Sequence, residues 1–127
     1  MSTNLSNKGS AASVFGRALP LIEVTLRREF RMPKVHAREI EQDVYAWFTR
    51  FTMRAGTGKS MGTWRTNLFW ATCQAGRNYW RWRLDGAPVA DERVKRVLSR
   101  EPMEMAQELA DKLRARENRS RSLEGKA

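Results

Sequence analysis

From Phe15 to Phe30 the apolar residues Phe15, Leu19, Ile22, Leu26 and Phe30 return every three or four positions. That is the period that gathers side chains on one face of an α-helix. Pro20 falls inside the run and removes a backbone donor, so the pattern predicts a first helix that begins near Pro20 or bends there and ends near Met32-Pro33. The next run is the clearest in the chain. Ile40, Val44, Trp47, Phe48 and Phe51 form a broad apolar stripe, with Arg38, Glu39, Glu41, Gln42, Asp43 and Arg50 on the remaining faces. Residues 54 to 63 are punctuated by three glycines and read as a loop.

Beyond the loop a long third helix is predicted from about Thr63 to Leu84. Trp64, Leu68, Ala71, Ala75, Tyr79 and Trp82 make one stripe along it, and Phe69, Cys73, Gly76 and Trp80 an adjoining one. Four of the five tryptophans lie in this segment. Two stripes plus Trp70 exceed what one helix face buries, so one or two of these rings are expected at the surface while the others form core. Asp85-Gly86-Ala87-Pro88 stops the helix. Asp91 to Arg100 and Pro102 to Glu117 then read as two weaker amphipathic helices, carried by Val94, Val97 and Leu98 and by Met105, Leu109 and Leu113. No run alternates with the period of a strand, so the expected fold is all-α, a compact bundle of three main helices plus one or two short C-terminal ones. Both ends are polar. Residues 1–12 are expected to be a disordered leader and 118–127 a disordered tail, around a helical domain over 13–84 and C-terminal helices over 85–117.

Charge changes this picture from architecture to partner. The 127 residues hold 24 Lys plus Arg against 14 Asp plus Glu, a net charge of +10. No acidic residue occurs between Asp43 and Asp85, while Arg50, Arg54, Lys59, Arg65, Arg77, Arg81 and Arg83 all lie in that interval. A solvated basic face is one explanation. A surface that meets phosphates is the other, because each phosphate neutralised releases counterions. Cys73 is the only cysteine, which excludes an internal disulfide and a four-cysteine zinc site and fits a reducing compartment. The N-terminus lacks the apolar run of a signal peptide, and no stretch is apolar for long enough to span a bilayer. A cytoplasmic protein with no membrane partner is therefore expected.

Candidate chemistry is sparse. Gly58-Lys59-Ser60 matches the end of the phosphate-loop motif, but the position that motif reserves for its first glycine holds Met53, and no strand precedes it. The segment reads as a phosphate or base contact through Thr57, Lys59 and Ser60, or as a plain connector. His36 is the sole histidine, without partners spaced for a metal or a triad, and is expected to cap or face solvent. Glu39, Glu41 and Asp43 are expected on a helix surface, without the burial that would raise one carboxyl's pKa. No enzyme, cofactor or metal site follows from these residues. The strongest local signal is Arg77-Asn78-Tyr79-Trp80-Arg81-Trp82-Arg83, where guanidinium forks alternate with flat rings on which unstacked bases can lie. Arg77 and Arg81 are one turn apart, so both can meet one backbone. An amphipathic helix with snorkelling arginines is the plainer alternative.

With those residues in order, the chain resembles region two of bacterial RNA polymerase sigma factors, especially the short extracytoplasmic-function type. Ala37-Arg38-Glu39-Ile40-Glu41-Gln42-Asp43-Val44-Tyr45 is similar to that family's Ala-Glu-Asp-Leu-Val-Gln-Glu-Val-Phe signature. The segment from Leu68 to Arg83, with Asn78-Tyr79-Trp80-Arg81 near its end, is similar to the family's Trp-Leu segment that closes on Asp-Tyr-Leu-Arg. Asn67 and Gln74 depart from the family's usual Trp and Asn, and no C-terminal helix-turn-helix domain is legible after Leu84. The resemblance covers residues 13–84. It implies a transcription-initiation protein, truncated or atypical, in which Glu39, Gln42 and Asp43 contact the clamp coiled coil of core RNA polymerase. It also implies that Thr57, Lys59, Ser60, Arg77, Asn78, Trp80, Arg81 and Arg83 face the single-stranded minus-ten region of promoter DNA, and that an anti-sigma protein is a further partner. Two other readings stay open: a helical DNA-binding domain like the core-binding domain of a tyrosine recombinase, and a Trp-rich protein-interaction module.

Overall fold

A computed structural model describes the backbone over residues 11–55 and 63–126 and the side chains over 14–51 and 63–120. Five helices form among the described residues, with no strand: α1 (Ala11–Phe30), α2 (Lys34–Ala55), α3 (Trp64–Leu84), α4 (Glu92–Leu98) and α5 (Pro102–Lys126). The all-α expectation holds, and two boundaries differ in an instructive way. α1 runs through Pro20 from Ala11 instead of starting there. Pro20 is exposed, its lost donor falls one turn from the exposed Gly16, and Val14, Ala18 and Ile22 are buried on the opposite side. Burial on both sides of the proline, at about 2 kcal/mol per large apolar side chain, offsets the hydrogen bond it removes. At the other end α5 continues to Lys126, through a segment whose composition predicts no order.

The helices alternate in direction. Phe15, early in α1, meets Tyr45 and Phe48, late in α2, with ring centroids 6.4 and 6.2 Å apart. Phe48 in turn meets Trp64 at the start of α3, and His36 at the start of α2 meets Tyr79 near the end of α3. α5 then returns along α3, since Arg77 reaches the carbonyls of Leu98 and Arg100 while Arg65 reaches Glu117. The core lies between α1, α2 and α3. Ile22, Leu26, Phe30, Phe48 and Leu68 are each 0 % exposed, and Met105, Ala106, Ala110 and Leu113 of α5 seal its side. Gly76 permits the closest approach: a Cβ there would lie 2.6 Å from the Phe30 ring.

The turn from α1 to α2 is tight. Arg31 takes a left-handed φ of 49°, and the Met32 N–H returns to the Leu26 carbonyl at 3.3 Å with the Met32 side chain buried beneath. α4 is a short brace. Asp91 caps it by accepting from the N–H groups of Arg93 and Val94, and Val94 and Val97 are buried. The ends of α1 and α3 and the start of α2 therefore share one end of the bundle, where the polar chemistry gathers.

Candidate nucleic-acid and partner interface

An open groove of about 710 Å³ lies between α2 and α3. Its floor is apolar, made by Ile40, Val44, Ala71 and Ala75. The two rims differ in charge. Glu39 and Asp43 of α2, both exposed, stand on one side, while Asn78, Trp82 and Arg83 of α3 stand on the other. The split follows from the sequence: position 43 is the last acidic residue before position 85, so any groove between these helices has its carboxylates on α2 alone. Gln42 is also exposed and lies with Glu39 and Arg38 along the outer side of α2. Glu39, Gln42 and Asp43 thus share the solvent side of one helix.

Glu41 does not join them. It is half-buried, and that burial, with the carboxylate of Glu23 nearby, pushes its carboxyl above the usual value of 4.5. This corrects the expectation that all three acidic residues of this run sit at the surface. Four residues cover one helical turn plus a little, so alternate positions 39, 41 and 43 cannot all point the same way, and Glu41 turns toward α1.

The basic aromatic run of α3 divides in the same manner. Trp80 is partly buried, and its indole Nε1 donates to the Phe30 carbonyl at 2.8 Å, which satisfies an orphaned acceptor at the end of α1. Arg77 is also withdrawn. Its Nη1 donates to the carbonyls of Leu98 and Arg100 at 2.7 and 3.1 Å, at the negative end of α4. The Trp80 indole N–H and Arg77 Nη1 are thus engaged within the fold, at residues the sequence reading placed toward DNA. Arg81 is exposed with only a 3.4 Å hydrogen bond to Asn78, itself exposed, and Arg83 lies over the Tyr79 ring at 5.5 Å. None of the ion pairs formed among the described residues involves Arg81 or Arg83. The loop residues Thr57, Lys59 and Ser60 lie outside the described residues.

The ring left in solvent is Trp82, 76 % exposed, one of the rings the sequence divided between core and surface without naming which. Trp80 and Trp82 are about 200° apart around a helix, so they cannot both be buried on a narrow face. The periodicity signalled that one of them had to be outside. Which one was decided by the Phe30 carbonyl, a group on another helix. Three further aromatics lie near the far end of the groove. Trp47 stacks on Phe51 with centroids 5.1 Å apart and planes within 7°, and it meets Trp70 at 6.2 Å. Trp47 and Phe51, members of the apolar stripe of α2, are 36 % and 38 % exposed.

His36, in the first turn of α2, is partly buried and lines the groove. Its Nδ1 shares a 2.6 Å hydrogen bond with the Tyr79 hydroxyl, whose pKa burial raises above the usual 10.0 while the charge of Arg83 opposes the shift. The pair closes one end of the groove. Cys73 is fully buried, and burial pushes its thiol up to about 12, far from the range of a nucleophile. No group of three or more His, Cys, Asp or Glu able to hold a metal forms among the described residues, and no described helix is long and apolar enough to cross a membrane. One rim of the groove can accept hydrogen bonds and cations, and the other can donate to anions and presents a ring. No family model, no curated protein and no solved structure matches this chain.

Proposed function

We propose that the chain is a sigma-factor-like transcription-initiation module of the cytoplasm, which holds core RNA polymerase through the exposed side of α2 and single-stranded promoter DNA through the last turn of α3. The observation that carries the reading is the separation of charge across the α2–α3 groove, with Glu39 and Asp43 on one rim and Asn78, Trp82 and Arg83 on the other. A phosphate chain is repelled from the first rim and attracted to the second, whereas a basic partner helix has the opposite preference. The DNA contacts are Asn78, Arg81, Trp82 and Arg83. Trp80 and Arg77 serve the fold beneath them. Stacking of a base on Trp82 contributes about 1–3 kcal/mol, and Arg81 and Arg83 add phosphate neutralisation that weakens with salt. No covalent chemistry is required. An anti-sigma protein, in this reading, competes for the acidic side of α2.

The test uses the two rims separately. Tagged protein is mixed with core RNA polymerase at physiological salt, and affinity for a labelled minus-ten single strand is measured by fluorescence anisotropy. Glu39→Arg with Asp43→Arg is expected to abolish polymerase association and leave strand affinity intact. Trp82→Ala is expected to weaken strand binding about tenfold with polymerase association unchanged. Failure of the unmodified protein to associate with polymerase removes the reading.

One observation favours a second reading. The exposed Trp47–Phe51 stack on α2 is the kind of rigid aromatic anchor that protein interfaces use, so a Trp-rich interaction module remains in play. A protein complex insensitive to salt and lost in Trp47→Ala, with no strand binding, would support that module instead.

A further inference from the structure

The aromatic rings that stand more than a third exposed among the described residues, Trp47, Phe51 and Trp82, all lie along the α2–α3 groove. They accompany an apolar floor set between rims of opposite charge. Glu39 and Asp43 stand on α2, and Arg83 stands on α3, with Arg81 exposed one turn from Asn78. None of these charged groups enters an ion pair formed among the described residues.

A partner of one sign satisfies only half of this surface. A basic helix is drawn to Glu39 and Asp43 and repelled by Arg83, and a polyanion meets the reverse. A body that matches both rims at once carries an apolar strip between an acidic edge and a basic edge, and this chain presents that surface itself. The geometry fixes how two copies meet. His36 at the start of α2 is bonded to Tyr79 near the end of α3, and Trp47 lies against Trp70, so the two helices stay level along the groove. Arg83, laid back over the Tyr79 ring, reaches the level of the first turns of α2. A two-fold axis parallel to the helices sets α2 of each copy opposite α3 of the other, acidic rim on basic rim at both edges. An axis across the helices would set α2 on α2, carboxylates against carboxylates.

We infer that the α2–α3 groove is an interface between two copies of this chain. In this isologous dimer Glu39 and Asp43 of each copy meet Arg81 and Arg83 of the other, and Trp82 packs against the opposite apolar floor. The net charge of +10 on each copy opposes association at low ionic strength. At physiological salt the Debye length is about 8 Å, so distant like charges are screened while groups in contact still pair. The inference stands independently of the proposed function. Where that function applies, the dimer covers both rims and is the unengaged state of the chain.

Sedimentation velocity tests it on the full chain at physiological salt, from low to high micromolar concentration, where the unmodified protein shows a monomer–dimer equilibrium. Glu39→Arg with Asp43→Arg, and separately Arg81→Glu with Arg83→Glu, each raise the dissociation constant at least about tenfold. An equimolar mixture of the two variants recovers the dimer, because a copy with two basic rims then meets a copy with two acidic ones. The first variant raises the net positive charge and the second lowers it, so repulsion between whole molecules would move them in opposite directions. Trp82→Ala, at a side chain 76 % exposed, weakens the dimer about tenfold, and circular dichroism melts confirm that every variant folds. The inference is overturned if the unmodified chain stays monomeric over that range, which leaves the groove to a foreign partner. It is equally overturned if either reversed variant dimerises as the unmodified chain does, or if both are monomeric and their mixture stays so. A monomeric chain that still associates with polymerase overturns the dimer and leaves the proposed function standing.

Discussion

Gly76 is the residue whose identity the packing constrains most tightly. A methyl group there meets the Phe30 ring at 2.6 Å, and Phe30 is itself fully enclosed, with its carbonyl held by Trp80. Glycine ordinarily costs a helix about 1 kcal/mol relative to alanine. Gly76→Ala should nevertheless destabilise the protein by about 1–3 kcal/mol, because an overpacked core shifts backbone and rotamers. Urea unfolding measures it, and an unchanged or raised midpoint would mean that α1 and α3 are not in contact at this point. The neighbouring tryptophans show how much a single position conveys. That Trp80 and Trp82 differ in exposure is a matter of helical geometry and was legible in the pattern. The choice between them was not, since each adjoins Arg81 and both are equally apolar. A hydrogen bond to another helix made the choice, and no spacing rule contains that bond.

At the scale of the element, α4 has seven residues and no persistence of its own, because isolated helices of that length do not form in water. It is held at both ends. Backbone N–H groups of Val94 and Arg93, with Arg31 alongside, keep the Asp91 carboxyl below its usual range, so the cap stays ionised under mildly acidic conditions. At the other end Arg77 closes the carbonyls of Leu98 and Arg100. Arg77→Ala should therefore cost about 2–3 kcal/mol of stability, the value of charge-assisted hydrogen bonds lost from a partly buried site, and leave single-strand affinity unchanged. Equilibrium unfolding and anisotropy on the same variant separate the two effects. A loss of affinity without a loss of stability would return Arg77 to the DNA rim where the sequence placed it. α2 teaches a related point. Its stripe from Ile40 to Phe51 is apolar throughout, yet Trp47 and Phe51 are exposed and Trp47 lines the open groove between α2 and α3. Amphipathicity reports that a face is apolar, not that a neighbour covers it.

Across the whole molecule one carboxylate joins three helices. Glu117 of α5 pairs with Arg17 of α1 and Arg65 of α3, each at 2.6 Å, and both guanidiniums lie over the Trp64 ring, at 5.2 and 4.7 Å. Burial opposes ionisation of Glu117, but the hydrogen bonds from Arg65 and Arg17 outweigh it and hold the carboxyl below its usual 4.5. A carboxyl lowered on folding contributes stability that is present above the unfolded value and is lost as pH falls through the folded one. Thermal stability should thus decline as pH drops below about 4.5, the ordinary value, and Glu117→Gln should be less stable than the unmodified chain near neutrality and show a shallower acid decline. Melting followed by circular dichroism from about pH 7 to about pH 3 tests this, and parallel curves for the two proteins would show that Glu117 does not join α1, α3 and α5. Composition offered no hint of this junction. Glu117 was the last residue of a weak predicted helix, and its partners are distant in the chain.

Fold class and the limits of α3 were determined by the sequence alone, because helical periodicity, proline and glycine act within a few residues of the chain. So was the distribution of charge by segment: an acid-free interval from position 44 to position 84 keeps carboxylates off α3 wherever that helix is packed. The tertiary structure decided which members of each segment keep their chemistry in solvent. Partly burying Trp80, Arg77 and Glu41 while leaving Trp82, Arg81 and Asp43 exposed depends on groups carried by other parts of the chain. Those groups meet only once the bundle has closed, since a polar group removed from water takes whatever partner the fold brings within reach.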